Sequence, residues 1–373
     1  MWPHVVSHDG QVTARRSRAM VGRSALRKGW LSSKIRRPLV LVSAVGAFAT
    51  SCKSAPAGDE IILPGASPGI GFDDLRYSSA LHRVLVPAGR IGNLDLIDPD
   101  TNGVTAIGGF STTPDFNGGH DDGPTSVDEA KGFLFVTDRT SRKLDVVDPH
   151  GAAIVGATDL AAQPDYVRFA APTNELWITE PDSSALEIFS LPADVPPVPI
   201  RSTSIAVSNG PESLVIDSQR SRAYTHRWQS STVAIDLSGR AIVAEWPNGC
   251  ASSRGIALDE ARGFLFAACL EGTTSVLDVD HGGRILSSLA EGSGFDVIGY
   301  NESLGHLYLA GSACQCLVIL GVSAAGQLSF LGRTDAPADT HCAVSDDVGH
   351  AWVCDPKRGT LLRVTDSYPA TIR

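Results

Sequence analysis

Aromatic residues make up 6% of this 373-residue chain, charged residues 19%, and methionine occurs only twice. No apolar run approaches the roughly 20 residues of a membrane-spanning helix, which excludes a helical membrane bundle. Phosphate-cradling loops are missing: there is no GxxxxGK(S/T) and no strand-linked GxGxxG. CxxCH is also absent, which removes covalent haem. What is present is 43% hydrophobic residues, too many for a disordered chain, with 37 Gly and 22 Pro. That composition describes many short strands joined by turns.

Charge is unevenly spread. Nine of the 31 Lys and Arg, but only one of the 41 acids, lie in residues 1–51, so the remainder carries 22 basic against 40 acidic residues. A chain this acidic, with no basic stripe beyond its first segment, lacks what phosphate-backbone binding requires, and nucleic acid is excluded as a partner. The basic block runs into the 12-residue apolar stretch Pro38–Ala49, followed by Thr50, Ser51 and Cys52. A positive segment, a short apolar core and small residues form a secretory signal. Ala49-Thr50-Ser51-Cys52 resembles a bacterial lipobox, with Ala where Leu is usual. The expectation is a cleaved leader over 1–51, lipidation at Cys52, a short tether over 52–58, and an exported, membrane-anchored lipoprotein of the bacterial cell envelope, on its periplasmic or cell-surface side.

One phrase recurs through the rest: a strand ending near Asp, a short turn, a second apolar strand, a polar gap, and a third strand ending in Asp. It is clearest at 125–148, 212–236, 255–280 and 296–321, with worn copies at 73–98, 165–190 and 339–366. The turn positions Asp128, Asp217, Asp259, Asn301 and Asp346 are 89, 42, 42 and 45 residues apart. The 89 covers two repeats, and the Pro-rich insertion Pro192–Pro199 in the third copy adds length. A period in the low forties with four strands per unit specifies an all-β, seven-bladed β-propeller, here over residues 59–373. Phe133-Leu134-Phe135-Val136 and Phe264-Leu265-Phe266-Ala267 are apolar on both faces, as suits sheets sandwiched between neighbours. The last copy lacks a fourth strand, and Glu60–Leu63 can supply it, closing the ring and removing open edges.

The pattern of "LFV/LYL" second strands and "LDVVD/TVAID" third strands resembles the YVTN-type repeat of YncE-like and surface-layer propellers, over about residues 72–366. The resemblance implies the fold, together with binding, adhesion or cell-surface roles; related seven-bladed propellers include lactonases. No catalytic motif of those enzymes has a counterpart here. The expectation is therefore a monomeric binding module for a protein or glycan ligand, with a metal-dependent lactonase-like hydrolase as the alternative.

Asp98-Pro-Asp100-Thr-Asn102-Gly103 imitates the start of an EF-hand loop, but position twelve is Gly109 where a bidentate Glu is required. It is read as a turn. Beyond Cys52, six cysteines suit an oxidising compartment. Cys342 and Cys354 are equidistant from Val348, so they face each other across a hairpin at disulfide spacing. Cys250 and Cys269 bracket the equivalent hairpin of another blade. Cys314 and Cys316 either close on one another, or one reaches a neighbouring blade. A zinc cluster lacks a second CxxC-type pair.

In a propeller, the segments ahead of each first strand converge on one mouth of the central channel. Those segments carry Asp73, Asp74, His120, Asp121, Asp122, Asp165, Glu212, Arg254, Asp296, Asp339 and His341. His120, Asp121, Glu212, Asp296 and His341 are the candidate metal ligands, for Ca²⁺ or another divalent ion; no other cofactor is expected. Arg227, Trp228 and Arg254 are candidate ligand-binding residues on the same face, where a cation and an aromatic ring can stack on a ligand.

Overall fold

The computed structural model describes residues 58–372. The leader, Cys52 and all but the last residue of the expected tether lie outside the described residues. Within them, 28 strands form seven four-stranded antiparallel sheets. Blades 1 to 6 span residues 76–108, 124–159, 167–206, 212–247, 253–290 and 295–335. Each is a meander in which successive strands pair, and the first strands contact one another round the ring. Among the described residues, no helix is long and apolar enough to cross a membrane.

Blade 7 draws three strands from 343–365 and its outer strand from the front of the chain. Asp59–Ile62 pairs with Thr360–Thr365, Asp59 opposite Arg363 and Ile62 opposite Thr360. Ile61 turns inward and is buried beside Leu361 and Trp352, while Ile62 is 74% exposed. The ring is thus closed by a strand whose alternation is that of a half-buried edge.

The second and third strands of each blade are buried on both faces, as the sequence pattern requires. Trp177, Trp352, Tyr224, Phe135, Phe189 and Phe266 are fully enclosed between blades. One turn differs from expectation. Asp259 closes the turn of blade 5, its Oδ1 accepting the Arg262 N–H. The matching Asp128 lies inside its strand, opposite Phe135, because Ala130 already pairs with Phe133. Lys131 and Gly132 adopt φ of 54° and 78°, the left-handed pair of a two-residue hairpin. Freed from the turn, the Asp128 carboxylate takes the Phe169 N–H at 2.7 Å and the Arg76 guanidinium at 3.1 Å, tying blades 1, 2 and 3 together.

Three disulfides form. Cys342–Cys354 is bridged as the spacing predicts, Cys250 joins Cys269 across the hairpin they bracket, and Cys314 closes on Cys316. All six cysteines fall at the end of the propeller where the first strands begin and the second strands finish.

Candidate functional site

The segments that lead into the first strands place their polar side chains around one channel mouth. Phe72 and Asp73, entering blade 1, hold two histidines from elsewhere in the ring. The Phe72 carbonyl is 2.8 Å from His341 Nε2, and Asp73 Oδ2 is 3.3 Å from His120 Nδ1. The other nitrogen of His341 lies 2.8 Å from the Asp339 carbonyl. Asp296, entering blade 6, completes the group: it, His120 and His341 each offer one ligand atom, all within 4.8 Å of one another. Among the described residues, the Asp296 side chain makes no hydrogen bond or ion pair. The backbone fixes this juxtaposition, because the Val297 N–H donates to the His341 carbonyl at 2.9 Å, joining blades 6 and 7.

Two further carboxylates stand behind these. Asp165 accepts from Arg139 at 2.9 Å, and Glu212 accepts the Trp228 N–H at 2.6 Å with Arg254 4.0 Å away. Burial first, and then the crowding of negative charge, governs their protonation. Burial alone would push the His120 imidazole down, but Asp73, helped by Asp296 and Asp165, holds it up at about 10. Burial and the neighbouring Asp73 charge raise Asp165 to about 7 despite Arg139. Burial, then Asp165 and Asp296, raises Glu212 well above the carboxylate range. The mouth thus gathers four carboxyl groups, Asp73, Asp165, Glu212 and Asp296, of which Asp165 and Glu212 keep their protons to higher pH than a free carboxyl does.

The donor set fits a divalent ion in part. His120 has the orientation of a ligating histidine, with Asp73 on Nδ1 and no hydrogen bond from the described residues to Nε2, and an ion binding there must displace the Nε2 proton. Two imidazoles and a carboxylate suit Zn²⁺ or Mn²⁺ better than Ca²⁺. His341 faces carbonyls at both nitrogens, so ligation requires it to release one of them. Asp121 points away from the group, to Arg139 at 3.4 Å, with its side chain 45% exposed. Glu212 is already engaged by Trp228 and Arg254. Asp339 pairs with Lys357 at the surface, and Asp74 turns down the channel.

Inside the channel, Asp74 meets Arg168 in a bidentate pair at 2.6 and 2.8 Å, and Ser126 donates to the same carboxylate at 2.6 Å. Arg168 and Arg139 were not legible as channel residues. Arg168 sits in a worn repeat whose first strand is hard to register. Arg139 follows a second strand, where the sequence places loops on the same face, and that position was the available signal. Below the pair the channel opens to a cavity of about 460 Å³ reaching Tyr77, Ser218, Glu260 and Glu302.

Arg227 lies beside the mouth, lining a groove of about 670 Å³ with Gln229, Glu245 and Trp246. Its guanidinium is held by the Ser208 carbonyl and hydroxyl and by Glu245 at 3.1 Å. Trp228 is 38% exposed and reaches the mouth, its indole N–H donating to Glu212. Its neighbour His226 is fully buried against Thr232 and the Gly255 carbonyl, and burial drives its imidazole down to about 4. Gly65-Ala66-Ser67-Pro68-Gly69 spells GxSxG, yet it lies in the loop after the closing strand with no helix following, so the strand–turn–helix of a hydrolase elbow is not formed there.

No family model matches the chain, and no curated protein matches it. Solved structures do. A chain of a mitotic checkpoint complex superposes with a TM-score of 0.64 at 13% identity, covering 91% of this chain and 99% of its own. A chain of Kuenenia stuttgartiensis hydrazine synthase gives 0.64 at 12% identity, covering 82% and 99%. The Cps50 (Swd1) β-propeller domain of Myceliophteria thermophila gives 0.65 at 10% identity, covering 83% and 99%. These likenesses establish the class, a seven-bladed β-propeller, and at such identities they carry the fold alone.

Proposed function

We propose that the chain is an exported, lipid-anchored propeller of the YVTN-like kind that serves as a binding module at the cell envelope, with the acidic channel mouth as its ligand site. The leader sequence over 1–51, followed directly by Cys52, supports export and anchoring. One observation carries the ligand site: His120, Asp296 and His341 converge within 4.8 Å in a mouth already crowded by Asp73, Asp165 and Glu212. Such a mouth selects a cation, either a divalent ion or the positive group of a protein or glycan-linked ligand. Nucleic acid is no partner for a surface of this sign.

A second reading is a metal-dependent hydrolase of the lactonase kind. The same three residues favour it, since a divalent ion there would supply a polarised water to a substrate entering from the mouth. Elemental analysis of the purified protein, beside melting with and without a chelator, tests both. About one equivalent of Zn or Mn with a chelator-sensitive melt supports the cation site, and lactone and ester turnover by that form then favours the hydrolase. A metal-free protein that is insensitive to chelator, and unaltered on adding either ion, removes the metal and the hydrolase together.

A further inference from the structure

We propose that Cys314–Cys316 is a thiol–disulfide exchange site that accepts two electrons from a dithiol, while the other two disulfides remain structural. This goes beyond the channel-mouth reading and rests on separate residues.

The three bridges differ in what they hold. Cys342–Cys354 and Cys250–Cys269 span 12 and 19 residues, and all four of their cysteines are buried, none more than 4% exposed. Cys314–Cys316 spans two. The restriction a bridge places on the unfolded chain grows with the loop it closes, so this one stabilises the fold least. Nor does it tie together anything otherwise loose. The loop is pinned by backbone hydrogen bonds from Ser312 to Gly294, from Cys314 to Ser293 and from Ala336 to Gln315, at 3.0, 3.2 and 2.9 Å. Cys316 itself is the first residue of a strand paired on both sides, with Gly311 and Asp335. Gln315 sits at φ 49°, as the residue before the third strand does in blades without a bridge there (Arg142 at 54°, Ser184 at 53°), so the turn takes this shape without needing the disulfide. Opening the bridge therefore leaves both the turn and its hydrogen bonds in place.

Access is also asymmetric. Cys314 is part-exposed, and Cys316 is 2% exposed. An incoming thiolate therefore attacks Cys314 Sγ, the sulfur–sulfur bond breaks, and Cys316 leaves as a thiolate and takes up a proton. The second thiolate of the dithiol then attacks its own sulfur in the mixed disulfide and expels Cys314, which is protonated in turn. The dithiol leaves oxidised to a disulfide, and the protein holds two thiols. Dithiols of this class include paired cysteines of a neighbouring protein; dithiothreitol is the laboratory probe.

The full chain is treated with limiting dithiothreitol, quenched with acid, alkylated and mapped by peptide mass spectrometry, with circular dichroism recorded alongside. The expected result is that Cys314–Cys316 opens at least tenfold faster than either buried bridge, with no change in fold. Cys316→Ser, incubated with oxidised glutathione, forms a mixed disulfide at Cys314, whereas Cys314→Ser leaves Cys316 at least tenfold slower to react. The proposal is overturned if a buried bridge opens first, if opening Cys314–Cys316 unfolds the propeller, or if the two single variants react with glutathione alike.

Discussion

Phe72 and Asp73, adjacent in the chain, each hold one of two imidazoles that reach the channel mouth from opposite sides of blade 1. The rings of His120 and His341 lie 5.3 Å apart and are tilted by 31°. One backbone carbonyl and one carboxylate, from adjacent residues entering one blade, thus set the geometry of groups delivered by its two neighbours.

Removing the Asp73 charge tests this arrangement. Asp73 is the chief favourable influence on His120, which stands at about 10 against an ordinary 6.5. The stability contributed by this pair is complete below pH 6.5 and is lost as pH rises through about 10. Asp73→Asn is expected to move the His120 titration down, read by NMR of the imidazole protons. An unmoved titration would show that Asp296 and Asp165 hold the proton instead.

The Arg168–Asp74 pair should behave as a buried ion pair. Both side chains are nearly inaccessible, 6% and 2% exposed, so Arg168→Met strands a carboxylate in the channel. The expected loss is about 3–5 kcal/mol in urea unfolding. Asp74→Asn combined with Arg168→Met should recover part of it. Strict additivity of the two changes would contradict the pairing.

A third expectation concerns pH. Asp95 lies in the third strand of blade 1, opposite Val86 and Ala106, on the face that carries Val84 and Ile97. It is fully buried, neither oxygen has a hydrogen-bond partner, and burial raises it from 3.8 to about 7. A raised carboxyl favours folding below its unfolded value, and that contribution is lost as pH rises through the folded one. The wild type should therefore lose up to about 4 kcal/mol between pH 4 and 7 relative to Asp95→Asn. Parallel stability curves for the two proteins would refute it.

Ring closure makes a fourth prediction. Ile61→Ala should cost roughly 2–4 kcal/mol, because the side chain packs into the seam between blades 7 and 1. Ile62→Ala, one residue on and facing solvent, should stay within about 0.5 kcal/mol. Chemical denaturation of the two variants separates a closing strand from a loosely apposed tail.

The blades, the closing strand and the Cys342–Cys354 register were legible because each depends on periodicity or symmetry that one sequence displays. The turn at Asp128 was not. Asp128-Glu-Ala-Lys-Gly and Asp259-Glu-Ala-Arg-Gly are nearly the same words, yet the first makes a two-residue hairpin and the second a turn closed by its Asp. Arg76 and the Phe169 N–H engage Asp128 within its strand, and neither partner is local in sequence. The same limit explains the mouth: spacing brought His120, Asp296 and His341 to one end, but it could not foresee that Arg139 draws Asp121 aside or that Trp228 engages Glu212.

The cation site itself is tested most directly by titration calorimetry. The chelator-stripped protein is titrated with Zn²⁺ and with Mn²⁺, beside Asp296→Asn. The account predicts a single site for at least one ion in the wild type, weakened at least about tenfold in the variant. No binding heat with either ion, or the same affinity in both proteins, would contradict it.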